Sequence, residues 1–546
     1  MVGRAGGGTA ARSRLPPRRG RPPPARRGEG GGGGTVTRRR TVRVDGRSLT
    51  VEDVEAVARG RAAAKLTAEA ERRMRASKAV IDRALAEGRV VYGVNTGFGH
   101  LKNVKIAKEA LERLQRNLVR SHAAGVGREA DGPTTRALLL LRANALARGH
   151  SGVRPLLARR LLDLIENDLL PVVPESGSVG ASGDLAPLAH VALALIGEGY
   201  VRAGGRRLRA ATALERAGLD RLRLGPREGL ALVNGTQFSS AVALLALVRA
   251  ERAVRLADVS AALSIDALAG TWRAFDPRVH RARPHAGQMA SAGNLYRLLQ
   301  GSEIWRSHAD CGAVQDAYSL RCAPQVHGAA RDALAELRRV LSIEINASTD
   351  NPLVFAEDGA IVSAGNFHAA PVAAAADYAS AALAGMAGIV ERRIDRLVNP
   401  LVSGLPPFLA RRPGLESGLM MAQVTAAALA SECKTLAHPA CADTIPTSAL
   451  QEDHVSMAPW AARKLRGVVE RLETLIAIEL LAAVRGLDHR RPLRTSPPLE
   501  AFVRRLEEEV RIPRGEVPPG PVIERLAALL REGRPLDWFA RSGGLA

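Results

Sequence analysis

Aromatic side chains make up only 3% of this 546-residue chain, and cysteine occurs just four times. So few rings leave little to stack on nucleobases, and no Cys/His finger spacing offers a second route to nucleic acid. Cys311 and Cys322 stand eleven apart, and Cys433 and Cys441 eight apart. Neither pair has the close spacing of a zinc knuckle, and four cysteines build no disulfide framework. No metal is expected, and free thiols in a reducing cytoplasm are the reading. Long hydrophobic runs are also scarce. The longest uncharged region, around 369–390, is rich in Ala and Gly and interrupted by Asp377, which suits a buried core helix better than a membrane span. The first 34 residues carry an n-region's charge with no apolar stretch after it, so no secretory signal is read there and no membrane partner is expected.

What the chain has in quantity is Ala, Leu and positive charge. It is 46% hydrophobic and 24% charged, with a net charge of +23. These values exclude a wholly disordered protein, and the scarcity of aromatics favours helices packed through small residues over sheets. Residues 1–40 hold eleven arginines against Glu29 alone. Gly, Pro and Arg bury nothing, so 1–40 is read as a disordered basic tail, of which residues 1–35 are expected to add nothing to folding or turnover. The rest of the positive charge is read as a solvated arginine surface, with no specific nucleic acid as partner.

Past the tail, TVRVDGRSL at 41–49 reads as a hairpin around Asp45-Gly46. Thr50 then caps a helix with Glu52 and Asp53 in its first turn, and a second helix ends at Gly88. From 107 onward helical periodicity dominates, with long candidates at 237–268, 325–346, 371–397, 415–436 and 457–483. Helices of this length with Ala-rich inner faces imply a bundle that runs through the molecule and across subunits. The regions are divided as 41–230, 231–484 with the long central helices, and a helical 485–546.

Two segments break the helical pattern and hold chemistry. VYGVNTGFGH at 91–100 combines three glycines with two aromatics. PVVPESGSVGASGDLAP at 171–187 is read as a long coil between apolar helices, and SGSVGASGDLAPLAH at 176–190 is its most informative segment. Its Gly180 and Gly183 permit tight backbone approach around Ala181-Ser182. Ser182 lacks the strand–turn–helix setting of a hydrolase elbow, since no strand is read before it.

GSVGASGDLAPLAH resembles the signature of the aromatic amino acid lyase family. The resemblance runs from about 41 to about 500, with blocks in the family's order: YGVNTGFG at 92–99, NLVRSHAAGVG at 117–127, EGLALVNGTQ at 228–237, QDAYSLRCAPQVHG at 315–328, SAGNFHAAP at 363–371 and QEDHVSM at 451–457. It implies an all-α long central helix bundle of the aromatic amino acid lyase and fumarase-like type, with small irregular or β elements near the N-terminus. It also implies a homotetramer whose active sites are shared between subunits. Ala181, Ser182 and Gly183 would cyclise to a methylidene-imidazolone (5-methylidene-imidazol-4-one, MIO), with no pyridoxal phosphate required.

The resemblance further implies roles for single residues. Tyr92 is the favoured base for the β-proton, for which its phenol would need a lowered pKa. Tyr318 bridges to the prosthetic group or shuttles a proton, and Asn234 donates to the oxyanion that develops. His122, Gln315, Arg321 and Phe367 bind substrate, with Asn366 beside Phe367; Arg321 grips the carboxylate with its two-pronged guanidinium. If helical, Gln315, Tyr318 and Arg321 share one broad face. Glu452 can accept an imidazole N–H, so L-histidine, lyased to trans-urocanate and ammonia, is the expected substrate. The alternative is a lyase or 2,3-aminomutase for tyrosine or phenylalanine. A catalytically dead structural homologue is disfavoured by the intact tripeptide with Tyr92, Tyr318 and Arg321. Two departures stand out: Leu450, where asparagine is usual, and Ala370, where an acid is common.

Overall fold

Ala- and Leu-rich periodicity folds as long helices. The principal ones are α1 (Gly132–Ala147), α2 (Leu185–Leu195), α3 (Gln237–Ala267), α4 (Ala286–Leu299), α5 (Ala323–Glu344), α6 (Ala370–Val398), α7 (Met420–Leu436) and α8 (Ala458–Asp488). The computed structural model describes residues 40–312, 314–539 and 544–546. Apart from Arg40, the basic tail lies outside the described residues. Residues Arg40–Ala546 form one compact unit. The long helices expected from the sequence are present, with ends shifted by a few residues.

Helices α3 and α8 are 31 residues each, about 45 Å long at 1.5 Å per residue. α8 packs against α3 and α6. α3 is buried nearly all the way round, the mark of an inner helix rather than an amphipathic outer one. α6 is long and apolar enough to cross a membrane, yet 56% of its most apolar window is buried among other helices. Its Asp377 pairs with Lys464 of α8 at 2.7 Å, and both side chains are almost fully buried. That is a core helix.

The strands are few and short. Arg40–Val44 (β1) pairs in parallel with Ala62–Leu66 (β2), Arg40 opposite Ala62. The hairpin expected at 41–49 is therefore corrected. Asp45 instead accepts hydrogen bonds from the amides of Arg47 and Ser48, at 2.8 and 2.9 Å. The chain turns away into the helix Val51–Ala58, which Thr50 caps by accepting from the Asp53 amide. The stretch 171–187, read as coil, holds the strand residues Pro174–Ser176, paired antiparallel with Val126–Glu129. The strand reaches only three residues, because Gly177 and the turns after it end the ladder.

Charge locks the helices in register. Glu479 of α8 accepts from Ser260 and Ser264 of α3, at 2.6 and 2.8 Å, and is paired with Arg393 of α6. All these side chains are fully buried. Arg393 also reaches His327 Nε2 of α5 at 3.3 Å, and His327 Nδ1 lies 2.7 Å from Asp258 of α3. Burial holds His327 below the usual imidazole range. A neutral ring with its proton on Nδ1 satisfies both neighbours, donating to Asp258 and accepting from Arg393. Replacing Glu479 with leucine strands the Arg393 charge, and a loss of roughly 3–5 kcal/mol is expected. Chemical denaturation of Glu479→Leu and of the double variant Arg393→Met/Glu479→Leu checks it: the double variant should recover most of the loss.

Candidate functional site

Ser182 adopts a left-handed backbone conformation (φ 50°), between Gly180 (φ 84°) and Gly183 (φ 79°). The Gly183 amide points back to the Gly180 carbonyl at 3.2 Å, so Ala181-Ser182-Gly183 is folded into a tight turn. Helix α2 starts two residues on. The turn is pressed against a second break, Asn234-Gly235-Thr236, between the helix Glu228–Val233 and α3. The Asp184 amide donates to the Gly235 carbonyl at 2.6 Å. A Cβ on Gly183 would stand 2.2 Å from that carbonyl oxygen, so no other residue fits there.

Buried charge surrounds this contact. Asp184 is fully buried and accepts from the Ser239 amide and hydroxyl, at 2.8 and 2.7 Å. Burial pushes its carboxyl up to about 6, against those hydrogen bonds. Glu344 of α5, also raised by burial, accepts from Thr236 Oγ1 at 2.6 Å. Asn234 donates its amide to Asp350 at 3.0 Å and to the Asn351 carbonyl at 3.2 Å. Its own Oδ1 is buried without a partner.

Ser182 opens into a cleft of about 410 Å³ lined among others by Tyr92, Lys102, Asn351, Phe367, Gln451 and Glu452. The 91–100 loop puts Tyr92 there through an internal clasp, in which Asn95 accepts from the Val91 amide at 2.8 Å and Thr96 from the Gly93 amide at 3.1 Å. The Tyr92 hydroxyl accepts from the Gly99 amide at 3.3 Å. Ser182 Oγ donates to Glu452 Oε1 at 3.4 Å, and Thr447 Oγ1 to Glu452 Oε2 at 2.7 Å. His122 Nδ1 lies 2.9 Å from the Leu118 carbonyl. Burial lowers its pKa, against that hydrogen bond and the charge of Glu452. The imidazole is therefore neutral near pH 7, with Nδ1 donating to Leu118 and Nε2 carrying the free lone pair.

Glu452 is held by a loop whose strain is explicit. Ser448, Ala449 and Leu450 are all left-handed (φ 51°, 51° and 65°), and the Thr447 and Glu452 backbones pair across the turn. The loop is pinned upstream by Asp377, whose carboxylate accepts from the amides of Ala440 and Cys441, at 2.7 Å each. Leu450 is 73% exposed and does not line the cleft. Asparagine suits that position because its short side chain tolerates the left-handed region. Ala370 is the first, exposed residue of α6, likewise away from the cleft lining.

Three expected site residues fall elsewhere in the chain's own fold. Gln315 is exposed and precedes the short helix Tyr318–Arg321, so the helical face expected for the three is not formed. Tyr318 is 71% exposed, and Arg321 stacks on its ring with 4.6 Å from guanidinium carbon to centroid. Arg321 Nε is buried without a partner. None of the three lines the Ser182 cleft of the same chain. Asn366 reaches the Ser348 carbonyl at 3.5 Å. Sequence reading passed over Lys102, Asn351 and Thr447, and gave Gln451 no role of its own. The first three carry no spacing signal, and only the folded loops bring Lys102 and Asn351 to the cleft and Thr447 to Glu452. Among the described residues no group of three or more His, Cys, Asp or Glu is placed to hold a metal.

Comparison with known proteins gives one consistent family. The family model for aromatic amino acid lyases matches residues 49–508. The chain is 53% identical over 514 residues to the histidine ammonia-lyase of Anaeromyxobacter sp. (strain K), covering 92% of this chain and 99% of that one. Among solved structures it resembles histidine ammonia-lyase from Trypanosoma cruzi, at 42% identity and a TM-score of 0.85, over 92% of this chain and 95% of that one. It also resembles tyrosine aminomutase from Streptomyces globisporus, at 37% identity and a TM-score of 0.87, over 92% and 98%.

Two measurements probe the site's backbone and charge. Leu450→Asn should stabilise the protein by up to about 1 kcal/mol by relieving a left-handed leucine; a lower melting temperature would refute the strain. Asp184, with its folded value raised from 3.8 to about 6, binds more protons folded than unfolded between those pH values. Its contribution to stability therefore declines as pH rises through that window. The stability of wild type minus that of Asp184→Asn should fall from pH about 4 to about 6 and then level off; a rising difference would contradict the assignment.

Proposed function

The chain belongs to the aromatic amino acid lyase family, and from that we propose that it eliminates ammonia from L-histidine, releasing trans-urocanate, at the cleft around Ser182. The observation that carries the reading is Glu452, a carboxylate 3.4 Å from the Ser182 hydroxyl with a neutral histidine, His122, nearby. A carboxylate in that place accepts an imidazole N–H and fixes the ring's tautomer. A phenyl ring offers no such donor.

The tripeptide fits the family's prosthetic group. Ser182 is already turned back on itself, Gly183 has no side chain to obstruct it, and the Gly235 carbonyl holds the next amide. Closing the ring joins the Gly183 nitrogen to the Ala181 carbonyl carbon. The carbonyl oxygen leaves as water with the amide hydrogens of Gly183 and Ser182, and the Ser182 hydroxyl leaves as a second water with its Cα hydrogen. The resulting methylidene-imidazolone supplies an electron-poor carbon for the substrate amine and a sink for its electrons.

The remaining work belongs to side chains. Tyr92, on the cleft wall, takes the β-proton, and Glu452 orients the imidazole. Phe367 lines the cleft, and Asn234, to steady negative charge near the tripeptide, turns its amide away from Asp350 and the Asn351 carbonyl, which hold it in the resting site. The substrate carboxylate needs a cation, which the chain's own Arg321 does not bring to this cleft. In the homotetramer we propose, Arg321 of the partner subunit grips it. Exposed apolar side chains support such an assembly: Met421 and Val424 on α7, Leu401 and Leu415 beside it, and Tyr318 itself. Four free cysteines accord with a cytoplasmic setting.

Intact-protein mass spectrometry should find the chain lighter by two waters, with Ser182→Ala abolishing most of that deficit and nearly all turnover. Ultraviolet assays with separate substrates should show histidine preferred over phenylalanine by about a hundredfold or more, since leaving Glu452 unpaired costs a few kcal/mol. Glu452→Gln should depress histidine turnover severely. Coumarate formed from tyrosine faster than urocanate from histidine would overturn the substrate assignment and leave the lyase chemistry standing.

A further inference from the structure

Arg142 is buried without exposure in α1, within the run LLLLRANAL. Burying a guanidinium is costly unless its donors are used, so what they reach is informative. The Nη1 and Nη2 donors converge on one segment, 231–237, while Nε is buried without a partner. Nη2 donates to the Ala231 carbonyl, and Nη1 donates to the Asn234 carbonyl at 2.9 Å and to Gln237 Oε1 at 2.8 Å. Asp350 stands 3.8 Å away as counter-charge. The last carbonyls of a helix have no partners within it. Here they belong to the short helix Glu228–Val233, and a side chain from another helix takes them up.

The segment so held is the one that touches the tripeptide. Arg142 fixes the Asn234 carbonyl, and the next carbonyl, that of Gly235, holds the Asp184 amide at 2.6 Å. A Cβ on Gly235 would lie 2.5 Å from Arg142 Nη1, so the guanidinium rests directly on that residue's backbone. One peptide unit separates the cation from the contact that presses on Gly183.

We propose that Arg142 is the positioning residue for maturation of the site: it sets the 234–236 turn where the Gly235 carbonyl keeps Ala181-Ser182-Gly183 folded for ring closure. The inference rests on the reading that the tripeptide cyclises. A second buried arginine provides the comparison. Arg227 is equally buried and pairs with the same Asp350 at 2.8 Å, but it donates to the carbonyls of Ser151, Asn351 and Pro352 and not to 231–237. A purely structural role predicts the same phenotype for both.

The experiment compares Arg142→Lys, Gln237→Ala and Arg227→Lys by intact mass after purification and during further incubation, with circular dichroism and size-exclusion chromatography as checks of folding. Folded Arg142→Lys should retain one or both waters in much of the population and lose them roughly tenfold or more slowly than wild type. Gln237→Ala should show a milder form of the same delay. Arg227→Lys should be destabilised yet fully two waters lighter. Complete water loss in folded Arg142→Lys, or equal retention in Arg227→Lys, would overturn the proposal. Should Arg142→Lys not fold, Gln237→Ala decides, complete and prompt water loss counting against it. A wild-type chain of full mass would instead refute cyclisation itself, so the two failures are distinct.

Discussion

Two backbone turns, 180–184 and 234–236, meet with no side chain between them, and the amide of Asp184 reaches the Gly235 carbonyl at 2.6 Å. Backbone-on-backbone contact leaves no soft side chain to absorb an error in placement. The turns come from segments about fifty residues apart, so the surrounding helices must fix their positions independently. α1 does so through Arg142, α3 through Ser239 bonded to Asp184, and α5 through Glu344 bonded to Thr236. Two of them, α3 and α5, are tied to α6 and α8 by the Asp258, His327, Arg393 and Glu479 network. A long-helix scaffold thus delivers precision at one short turn.

The parts that were legible from sequence are those whose signal is local. Helical spacing locates α3, α5, α6 and α8, and the Ala-Ser-Gly block with its flanking glycines marks the turn. Pairing over distance was not legible. The β1 strand looks like half of a hairpin because Asp45-Gly46 is a good turn, but its partner is AAAKL at 62–66, a stretch with little strand character of its own. Buried charge was invisible for a related reason. Arg142 within LLLLRANAL reads as a lone charge on an apolar helix, and only the fold shows that its guanidinium reaches segment 231–237. The cleft shows the same division. Tyr92, Ser182, Phe367 and Glu452 lie in recognisable blocks and line one cavity, whereas Lys102 and Asn351 join that lining, and Thr447 reaches Glu452, through loop closure alone.

Gln315, Tyr318 and Arg321 illustrate how exposure can carry meaning. A tyrosine that is 71% exposed beneath a stacked arginine, whose Nε is buried and unpaired, is a poor solution for a free surface. It suits a face that another copy of the chain covers. A single chain offers the electrophile's tripeptide in one place and the carboxylate-binding cation in another, which makes assembly part of the chemistry under the proposed function.

The 437–457 loop has a different kind of consequence. It is pinned to the bundle by Asp377 and by Lys464, which donates to the His438 carbonyl, and it closes on itself between Thr447 and Glu452. Its tip meets the cleft rather than the long helices, through Gln451 bonded to Lys102 and Glu452 bonded to Ser182. Under the proposed function, substitutions at such a tip change what the cleft accepts while leaving in place the long helices that position the two turns.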